Sequence, residues 1–344
     1  MSATLILKRL GVALLISLAI SLLWYVQSRV LAPRRCTRVV EIGTESNPGR
    51  NISSIQFATY NIAHGRGGKL GASNWTGSSK KQMENHLAQI ALQVNVADVD
   101  ILVLNEVDFQ SSWSRYINQA RVIAAHAGFT YCAEQRNVDV SLPFRKYRFG
   151  NAVLSKYPIT DIRVIRFPPL SRKESVFAGN HDGLIAKITT PIGEISVLAV
   201  HLEYRSEDVR VECARIIKTL ASENDTPIVV MGDFNSAPSF ARGHQTSTSG
   251  ENAMDILLNS GLMTHHKALV NWEEYVTFPS ANPDRAIDWI ICSPGSEQNK
   301  HSLVRSELSD HLMVTAGIRI KTERSEQIYP QHSDIARQPP LPMM

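Results

Sequence analysis

The sequence predicts an α/β fold in which two β-sheets pack face to face and helices cover their outer sides. Short apolar runs of strand length recur through the central part of the chain. Helix-like segments separate some of these runs, whereas others follow one another directly. A doubly wound nucleotide-cofactor enzyme is disfavoured, because the strand–helix alternation is weak and no GxGxxG motif follows a strand.

The N-terminal segment of the 344-residue chain has the composition of a single-pass membrane anchor. Lys8 and Arg9 precede the uncharged run "LGVALLISLAISLLWYV" at residues 10–26, and arginines follow it. We assign residues 1–9 to a short tail and residues 10–28 to an uncleaved transmembrane helix. A cleaved signal peptide is the alternative, although the small-residue site at Ala32 is followed by Pro33.

The orientation of this anchor is read from its flanking charges. The short basic tail favours an extracytoplasmic location for the rest of the chain, whereas the arginines after the span favour the opposite side. Residues 29–52 are polar and contain Pro48 and Gly49, so we expect a linker there. Residues 321–344 lack apolar periodicity and are proline-rich near the end, so we expect a disordered tail. The globular domain is therefore expected at residues 53–320.

The composition of the chain indicates a globular protein and leaves most functional classes open. An apolar fraction of 43% and a charged fraction of 20% are typical of a globular protein with a substantial core. The net charge of +4 gives little support to a dedicated nucleic-acid binder and does not exclude one. The cysteines lack zinc-site spacing, so buried free thiols are favoured. Nothing in the sequence indicates a protein partner.

The strands are predicted from apolar runs bounded by turn residues. In chain order they cover residues 55–62, 101–107, 129–133, 152–155, 162–167, 183–189, 195–202, 228–231, 286–292 and 314–320.

The helices are predicted from apolar residues at helical spacing. Residues 80–96 and 112–127 show this period, and Gly128 provides a stop signal for the second. Residues 207–221 and 253–260 complete the set, the latter followed by Gly261.

Several of the predicted strands contain a polar residue or end in one. A turn alone does not explain these residues, because the apolar run continues up to them or past them. Any one Asn or Asp after a strand is commonly a turn residue. Asp288, however, is followed by more apolar residues and is expected inside a sheet, where an unpaired carboxylate is costly. The residues of this set are Asn61, Glu106, His201, Asp233, Asn235, Asp288, Asp310 and His311.

The stretch "PIVVMGDFNSAPS" shows what this pattern could do. Residues two apart in a strand face the same side, so Asp233 and Asn235 would point together if the strand persisted that far. With Glu106 and Asn61 they form an all-oxygen set, which favours Mg²⁺ or Mn²⁺ over zinc. Histidines add proton transfer near neutral pH. A cation with acid–base groups suits hydrolysis of a phosphate ester, whereas a serine hydrolase is disfavoured because GxSxG is absent.

The ordered set of motifs "TYNI", "LNEVD", "GNAVLSKYPI", "VLAVHLEYR", "VVMGDFNSAP", "IDWII" and "SDHLMV" resembles the endonuclease/exonuclease/phosphatase superfamily, the deoxyribonuclease I-like group. The resemblance extends from about Ser53 to Ile320. It implies a four-layer α/β/β/α sandwich of two packed mixed sheets flanked by helices, with the active site at one end of the sheets.

The resemblance also implies residue roles. Glu106 would be the principal metal ligand, with Asn61 and Asp310 in support. Asp233 would orient the attacking water, and Asn235 would help to hold the phosphate.

The remaining implied roles concern the acid–base groups. His311, oriented by Asp288, and His201 would be the two acid–base residues, and Glu134 is a candidate partner of His201. "GNAVLSKYPI" is interpreted as structural. Asn105 departs from the glutamine usual before the metal-binding glutamate.

The sequence leaves the substrate open. A lipid headgroup, a soluble phosphoester and nucleic acid all remain, so a metal-dependent nuclease is the first alternative. A non-catalytic binding protein that keeps the fold is an alternative of a different class. A zinc hydrolase using histidines such as His64 or His181 is disfavoured because HExxH-type spacing is absent.

Overall fold

The computed structural model describes residues 3–26, 38–43, 53–69, 71, 73–75, 77–142, 145–171, 180–260, 272–294 and 296–320. The strands are β1 (Arg38–Glu41), β2 (Ile55–Asn61), β3 (Ile101–Asp108), β4 (Tyr131–Leu142), β5 (Arg145–Ser155), β6 (Ile159–Ile165), β7 (Gly183–Thr190), β8 (Gly193–His201), β9 (Ile228–Asp233), β10 (Asp288–Cys292), β11 (Ser296–Val304) and β12 (Met313–Ile320). The helices are α1 (Ala3–Tyr25), α2 (Lys80–Val96), α3 (Gln119–Ala127), α4 (Glu207–Glu223) and α5 (Ala253–Leu258), with short 3-10 turns at Ala63–Gly65 and Trp272–Tyr275.

The strands form two mixed sheets. The first has seven strands in the order β1-β4-β5-β3-β2-β12-β11, and the second has five in the order β10-β9-β8-β7-β6. In the first, β2 and β3 are parallel, and in the second β8 and β9 are parallel. The expectation of two packed sheets with helices outside is confirmed.

Three hydrophobic cores hold the layers together. One lies between the sheets, where Phe57 and Val103 of the first sheet meet Val197 and Met231 of the second. A second core packs α2 and α3 against the outer face of the first sheet. The third packs α4 and α5 against the outer face of the second sheet around Trp289. The molecule is therefore layered as helix, sheet, sheet and helix.

Helix α2 spans the predicted residues because both its capping and its periodicity are encoded locally. Ser79 and Gln82 form a capping box at its start, and the predicted apolar face is buried. Helix α3 is shorter than the predicted 112–127. Arg115 and Tyr116 have positive φ, and residues 112–116 form turns instead. The helix begins at Gln119, where the Asn118 side chain caps it by accepting a hydrogen bond from the Arg121 N–H.

Two strands were not predicted. β1 lies within the expected linker at residues 29–52 and pairs with β4, so this part of the linker belongs to the first sheet. β11 pairs with β12 but alternates in burial and is mostly polar, which hides it from a search for apolar runs. The expected tail at residues 321–344 lies outside the described residues.

The N-terminal helix α1 is long and apolar. Its side chains from Thr4 to Trp24 are exposed, and Thr4–Tyr25 has a mean hydropathy of 2.1. By length and composition it is able to cross a membrane.

Candidate active site

The polar strand ends predicted from the sequence meet at one end of the two sheets, around a cavity of about 420 Å³. Asn61 and Asp288 lie buried beneath it and contact the residues of its wall. The predicted residues that line it are Glu106, His201, Asp233, Asn235, Asp310 and His311.

Strand register explains the convergence. In the second sheet His201 pairs with Asp233, and Asp233 pairs with Asp288, so three functional side chains lie at one level across adjacent strands. In the first sheet Asn61 pairs with Asn105 at the end of the parallel β2–β3 pair. The packing of the sheets brings these two rows together: Asn61 Nδ2 donates a hydrogen bond to Asp233 Oδ2 at 3.1 Å.

Glu106 is placed by an irregularity in β3. The pairing of β3 with β5 shifts register between Leu104 and Val107, and Glu106 has a φ of 50°. Such a bulge re-aims a side chain, and here Glu106 lines the cavity instead of continuing the strand alternation. Asn61 Nδ2 donates to Glu106 Oε1 at 3.3 Å.

Nitrogen-bearing side chains surround Glu106. His64 Nε2 lies 3.5 Å and Arg66 Nη2 3.6 Å from Glu106 Oε2. Burial alone would raise the pKa of Glu106, but the neighbouring imidazoles of His64, His201 and His311 and the Arg66 guanidinium lower it to about 2. Glu106 is therefore a carboxylate at neutral pH.

Asp233 lies between the two predicted acid–base histidines. Its Oδ2 is 3.7 Å from His201 Nε2 and 3.8 Å from His311 Nε2. Burial, reinforced by the neighbouring Asp288 carboxylate, raises the pKa of Asp233 to about 7. A carboxyl group with such a pKa can exchange a proton near neutrality.

His311 and Asp288 form a buried pair. Asp288 Oδ2 accepts hydrogen bonds from His311 Nδ1 at 2.8 Å and from Thr277 Oγ1 at 2.6 Å. Burial opposes the charged imidazole, but Asp288, Asp233 and Asp310 outweigh it and raise the pKa of His311 to about 10. The bond to Asp288 leaves Nε2 of His311 facing Asp233 and the cavity.

His201 has a different environment. Burial lowers the pKa of His201, so its imidazole is mainly neutral at neutral pH. The His181 ring meets it edge-on at 5.3 Å between centroids, and His181 lies 3.5 Å from the Glu203 carboxylate. Burial and the neighbouring His201 lower the pKa of His181 to about 4.

Asn235 reaches the cavity by a turn and not by strand alternation. β9 ends at Asp233, and Asn235 has a φ of 51° while its backbone N–H donates to Asp233 Oδ1 at 2.9 Å. The condition for a shared strand face, that the strand persists to Asn235, is therefore not met, because Asp233 forms an Asx turn with the Asn235 N–H. The Asn235 side chain is held by donation to Leu202 O at 3.0 Å and lines the cavity.

Asp310 and Glu134 differ in their positions. Asp310 lines the cavity, and its Oδ2 lies 3.8 Å from Arg66 Nη2, the same atom that faces Glu106. Burial raises the pKa of Asp310.

Glu134 does not line the cavity, and its carboxylate instead accepts hydrogen bonds from Arg121 and Asn118, both at 2.9 Å. Arg121 and Asn118 thus engage one carboxylate oxygen of Glu134, and the role of Glu134 as a partner of His201 stays a prediction.

Buried amides support the site from below. Asn105 Nδ2 donates to Asn151 Oδ1 at 2.8 Å and to Val200 O at 2.9 Å, and its Oδ1 accepts from the Asp233 backbone N–H at 3.1 Å. Asn105 thereby ties the first sheet to the second at the base of the cavity. Asn151 comes from the motif "GNAVLSKYPI", so the structural interpretation of that motif understates its role in holding the site.

His64 is the main site residue that sequence reasoning missed. It lines the cavity, although the sequence analysis weighed it only as a zinc ligand and disfavoured it because of its spacing. Its position three residues after Asn61, a predicted site residue, was the signal that could have placed it at the site. Its buried partner Asp108 follows Glu106 by two residues, and that spacing was visible as well.

The donor set fits a hard divalent cation. Glu106 and Asp310 supply carboxylate oxygens on the same side of the cavity, and both already face one cationic group, Arg66 Nη2. Asp233, Asp288 and His311 form a second compact group, with potential ligand atoms within 4.8 Å of one another. In that group His311 Nδ1 is engaged by Asp288, so we favour the Glu106 side. Within the described residues, Asp288 Oδ1 is buried without a hydrogen-bond partner.

Comparison with known proteins agrees with this geometry. Residues 58–311 match the sequence model of the Endonuclease/Exonuclease/phosphatase family. No curated protein matches the sequence.

Solved structures share the fold. An endonuclease/exonuclease/phosphatase from Beutenbergia cavernae has 19% identity and a TM-score of 0.54, covering 78% of this chain and 72% of its own. The mannosyl-6-phosphatase Bt3783 of Bacteroides thetaiotaomicron has 17% identity and a TM-score of 0.53, with coverages of 77% and 99%. D. rerio TDP2 complexed with a single-strand DNA product has 13% identity and a TM-score of 0.51, with coverages of 78% and 100%. At these identities the likeness establishes the fold alone.

Proposed function

Because this chain belongs to the Endonuclease/Exonuclease/phosphatase family, whose members are metal-dependent phosphoesterases or nucleases, we propose that it hydrolyses a phosphate ester by metal-assisted attack of water. The observation that carries the proposal is the convergence of Glu106, His201, Asp233 and His311 on one cavity. We propose Mg²⁺ or Mn²⁺ as the cofactor, held by Glu106 and Asp310 with Asn61 in support. When bound, the ion neutralises phosphate oxygens and so lowers the barrier to attack.

The protein's own groups position and deprotonate the water. Burial raises the pKa of Asp233 to about 7, and its carboxyl group is oriented by donation from Asn61. In the proposed mechanism Asp233 accepts a proton from the attacking water, with the neutral His201 imidazole 3.7 Å away as its partner.

His311 is suited to the opposite role. Its charged imidazole, fixed by Asp288, presents Nε2 to the cavity as a hydrogen-bond and proton donor. In the proposed mechanism it stabilises charge on the phosphate and protonates the leaving oxygen. The Asn235 side chain, fixed by Leu202, would hold a phosphate oxygen.

The cavity walls favour a compact substrate. Phe149, Tyr204 and Phe278 line the cavity, and the Arg285 guanidinium stacks 4.4 Å from the Phe278 ring centroid. A volume of about 420 Å³ accommodates a headgroup or a small phosphoester. We propose a phosphodiester or phosphomonoester of this size as the substrate, with a lipid headgroup, a soluble phosphoester and nucleic acid as the sources to compare.

The proposed location is a membrane. Helix α1 has exposed side chains from Thr4 to Trp24 and the apolar span of an anchor, and Lys8 and Arg9 lie in its N-terminal part before the uncharged run. Such an anchor would hold the cavity close to lipid substrates.

The test is turnover of defined phosphate esters by the full chain in detergent. After removal of metal with EDTA, Mg²⁺ or Mn²⁺ is added back with bis(p-nitrophenyl) phosphate, p-nitrophenyl phosphate, phospholipid vesicles or a single-stranded oligonucleotide. We expect metal-dependent hydrolysis that Asp233→Asn reduces by roughly 10²–10⁴-fold, the range for acid–base groups. Glu84→Gln, which alters an exposed acid of α2, is the control and should match wild type.

Two results would count against the proposal. Equal turnover by wild type and Asp233→Asn would remove Asp233 from the mechanism. Failure of a folded, metal-loaded wild type to hydrolyse any of the esters would favour a non-catalytic binding protein.

A further inference from the structure

His64 is held in an unusual backbone conformation at the cavity edge. Ala63, His64 and Gly65 have successive positive φ values of 47°, 55° and 70°. Left-handed backbone of this kind is strained for residues other than glycine and is retained where the surroundings enforce it. The His64 carbonyl is fixed by donation from Gln119 Nε2 at 2.7 Å.

The His64 ring is also fixed in orientation. Asp108 Oδ1 lies 3.0 Å from His64 Nδ1, and Asp108 is fully buried. Asp108 Oδ2 accepts a hydrogen bond from Trp113 Nε1 at 2.7 Å. An ionised carboxylate can only accept hydrogen bonds, so in the contact with the Asp108 carboxylate the donor is His64 Nδ1.

Aromatic rings close the sides of the imidazole. Phe149 meets the His64 ring edge-on at 5.1 Å, and Trp113 does so at 5.7 Å. Only 8% of His64 is exposed, yet it lines the cavity. The one remaining polar atom of the ring, Nε2, therefore points at the proposed metal side of the cavity.

The spacing of His64 and Glu106 suits two ligands of one ion. His64 Nε2 is 3.5 Å from Glu106 Oε2. Octahedral neighbours at metal–ligand bonds of about 2.0–2.2 Å lie roughly 2.8–3.1 Å apart, so these two atoms need to approach by only about half an ångström to share one ion. A metal-binding histidine that donates its other N–H to a carboxylate is a recurrent arrangement, and the carboxylate partner commonly contributes 10–100-fold in affinity.

We propose that His64 Nε2 is a ligand of the divalent ion bound by Glu106, with Asp108 and Trp113 as residues that position it. A nitrogen ligand favours Mn²⁺ and other transition-metal ions over Mg²⁺. The ligand set expected from the sequence contained only oxygen atoms, and this proposal adds the imidazole nitrogen of His64 to it. This inference rests on the metal site of the proposed function but not on the reaction that the site performs.

The opposing interpretation is that His64 acts as a cation paired with Glu106. The two interpretations predict opposite signs. A ligand that is removed weakens metal binding, whereas removal of a competing positive charge beside Glu106 strengthens it.

The test measures Mn²⁺ binding in the full chain, independently of turnover. Isothermal titration gives the affinities for Mn²⁺ and Mg²⁺, and pulsed electron paramagnetic resonance detects a histidine nitrogen coupled to bound Mn²⁺. Protein labelled with ¹⁵N-histidine assigns that coupling to imidazole. We expect His64→Gln to lose it and to weaken Mn²⁺ binding at least tenfold, with a smaller change for Mg²⁺.

Two further variants keep the test decisive. Asp108→Asn should weaken Mn²⁺ binding about 10–100-fold while leaving His64 in place. His181→Gln is the control, because His181 lines the same cavity but contacts His201 and Glu203. It should retain the coupling.

Three outcomes would overturn the inference. They are the absence of histidine coupling in wild type, its persistence in His64→Gln, and Mn²⁺ binding by His64→Gln that is unchanged or tighter. Turnover with Mg²⁺ alongside any of these would leave the proposed function standing. Coupling that depends on His64 in a protein without turnover would leave the inference standing and refute the proposed function.

Discussion

Substitution of Asn105 by alanine should destabilise the protein more than its size suggests. The amide makes three hydrogen bonds, to Asn151 Oδ1, Val200 O and the Asp233 N–H, and each partner is buried. Removing it leaves two acceptors and one donor unpaired at the junction of the sheets. Each such group costs about 1–3 kcal/mol. Three such groups sum to about 3–9 kcal/mol, and because local relaxation offsets part of this sum, we expect a loss of about 3–5 kcal/mol in the free energy of unfolding.

The assay is guanidinium unfolding of the full chain in detergent, followed by tryptophan fluorescence. Thr59→Val is the matched control, because Thr59 is buried in β2 and its hydroxyl makes no hydrogen bond within the described part of the chain. Replacing it with an isosteric apolar residue removes an unpaired hydroxyl, so the free energy of unfolding should not fall and should rise by up to about 1–3 kcal/mol. A loss below about 1 kcal/mol for Asn105→Ala would refute the view that this amide joins the sheets.

Three further predictions concern other parts of the fold. Gly232→Ala should prevent folding or cost more than about 3 kcal/mol, because its Cβ would lie 1.9 Å from Val200 O. Gly71→Ala, with positive φ but open space around it, should cost only about 1 kcal/mol in the same unfolding assay. Asp288→Asn should lower kcat by roughly 10²–10⁴-fold with little change in KM, because it weakens the hold on His311. A kcat within threefold of wild type would contradict this role. Burial raises the pKa of Cys213 to about 12, so the unfolded chain ionises at lower pH than the folded one. Wild type should therefore lose stability relative to Cys213→Ala as pH rises above 9, by up to about 1.4 kcal/mol per pH unit. Parallel pH profiles of the two proteins would contradict this.

The central strands of the fold could be predicted because their signals are local. Ile228, Val229 and Val230 are apolar and buried on both faces of β9, so the sequence reveals them directly. β1 and β11 could not be predicted in this way. β1 is a short edge strand that pairs with β4. β11 is mostly polar and pairs with β12, so it contains no apolar run that would mark it as a strand. Their stability comes from partners distant in sequence.

The site residues likewise fall into those with a local sequence signal and those placed by distant partners. Residues at the ends of apolar strands, such as His201 and Asp288, were found because a polar residue interrupts a strong pattern. His64 was not assigned a role, because its position depends on a left-handed turn and on Asp108, more than forty residues away. The strand likewise does not continue from Asp233 to Asn235, because the bond from the Asn235 N–H to the Asp233 side chain competes locally with strand geometry.

The position of a bound Mn²⁺ ion, located by anomalous X-ray scattering from crystals of the full chain, tests the account most directly. We expect a single strong peak in the cavity about 2.0–2.2 Å from a Glu106 carboxylate oxygen, as for first-row divalent ions. A peak enclosed instead by Asp233, Asp288 and His311, or no peak at saturating Mn²⁺, would contradict the proposed metal site and the mechanism built on it.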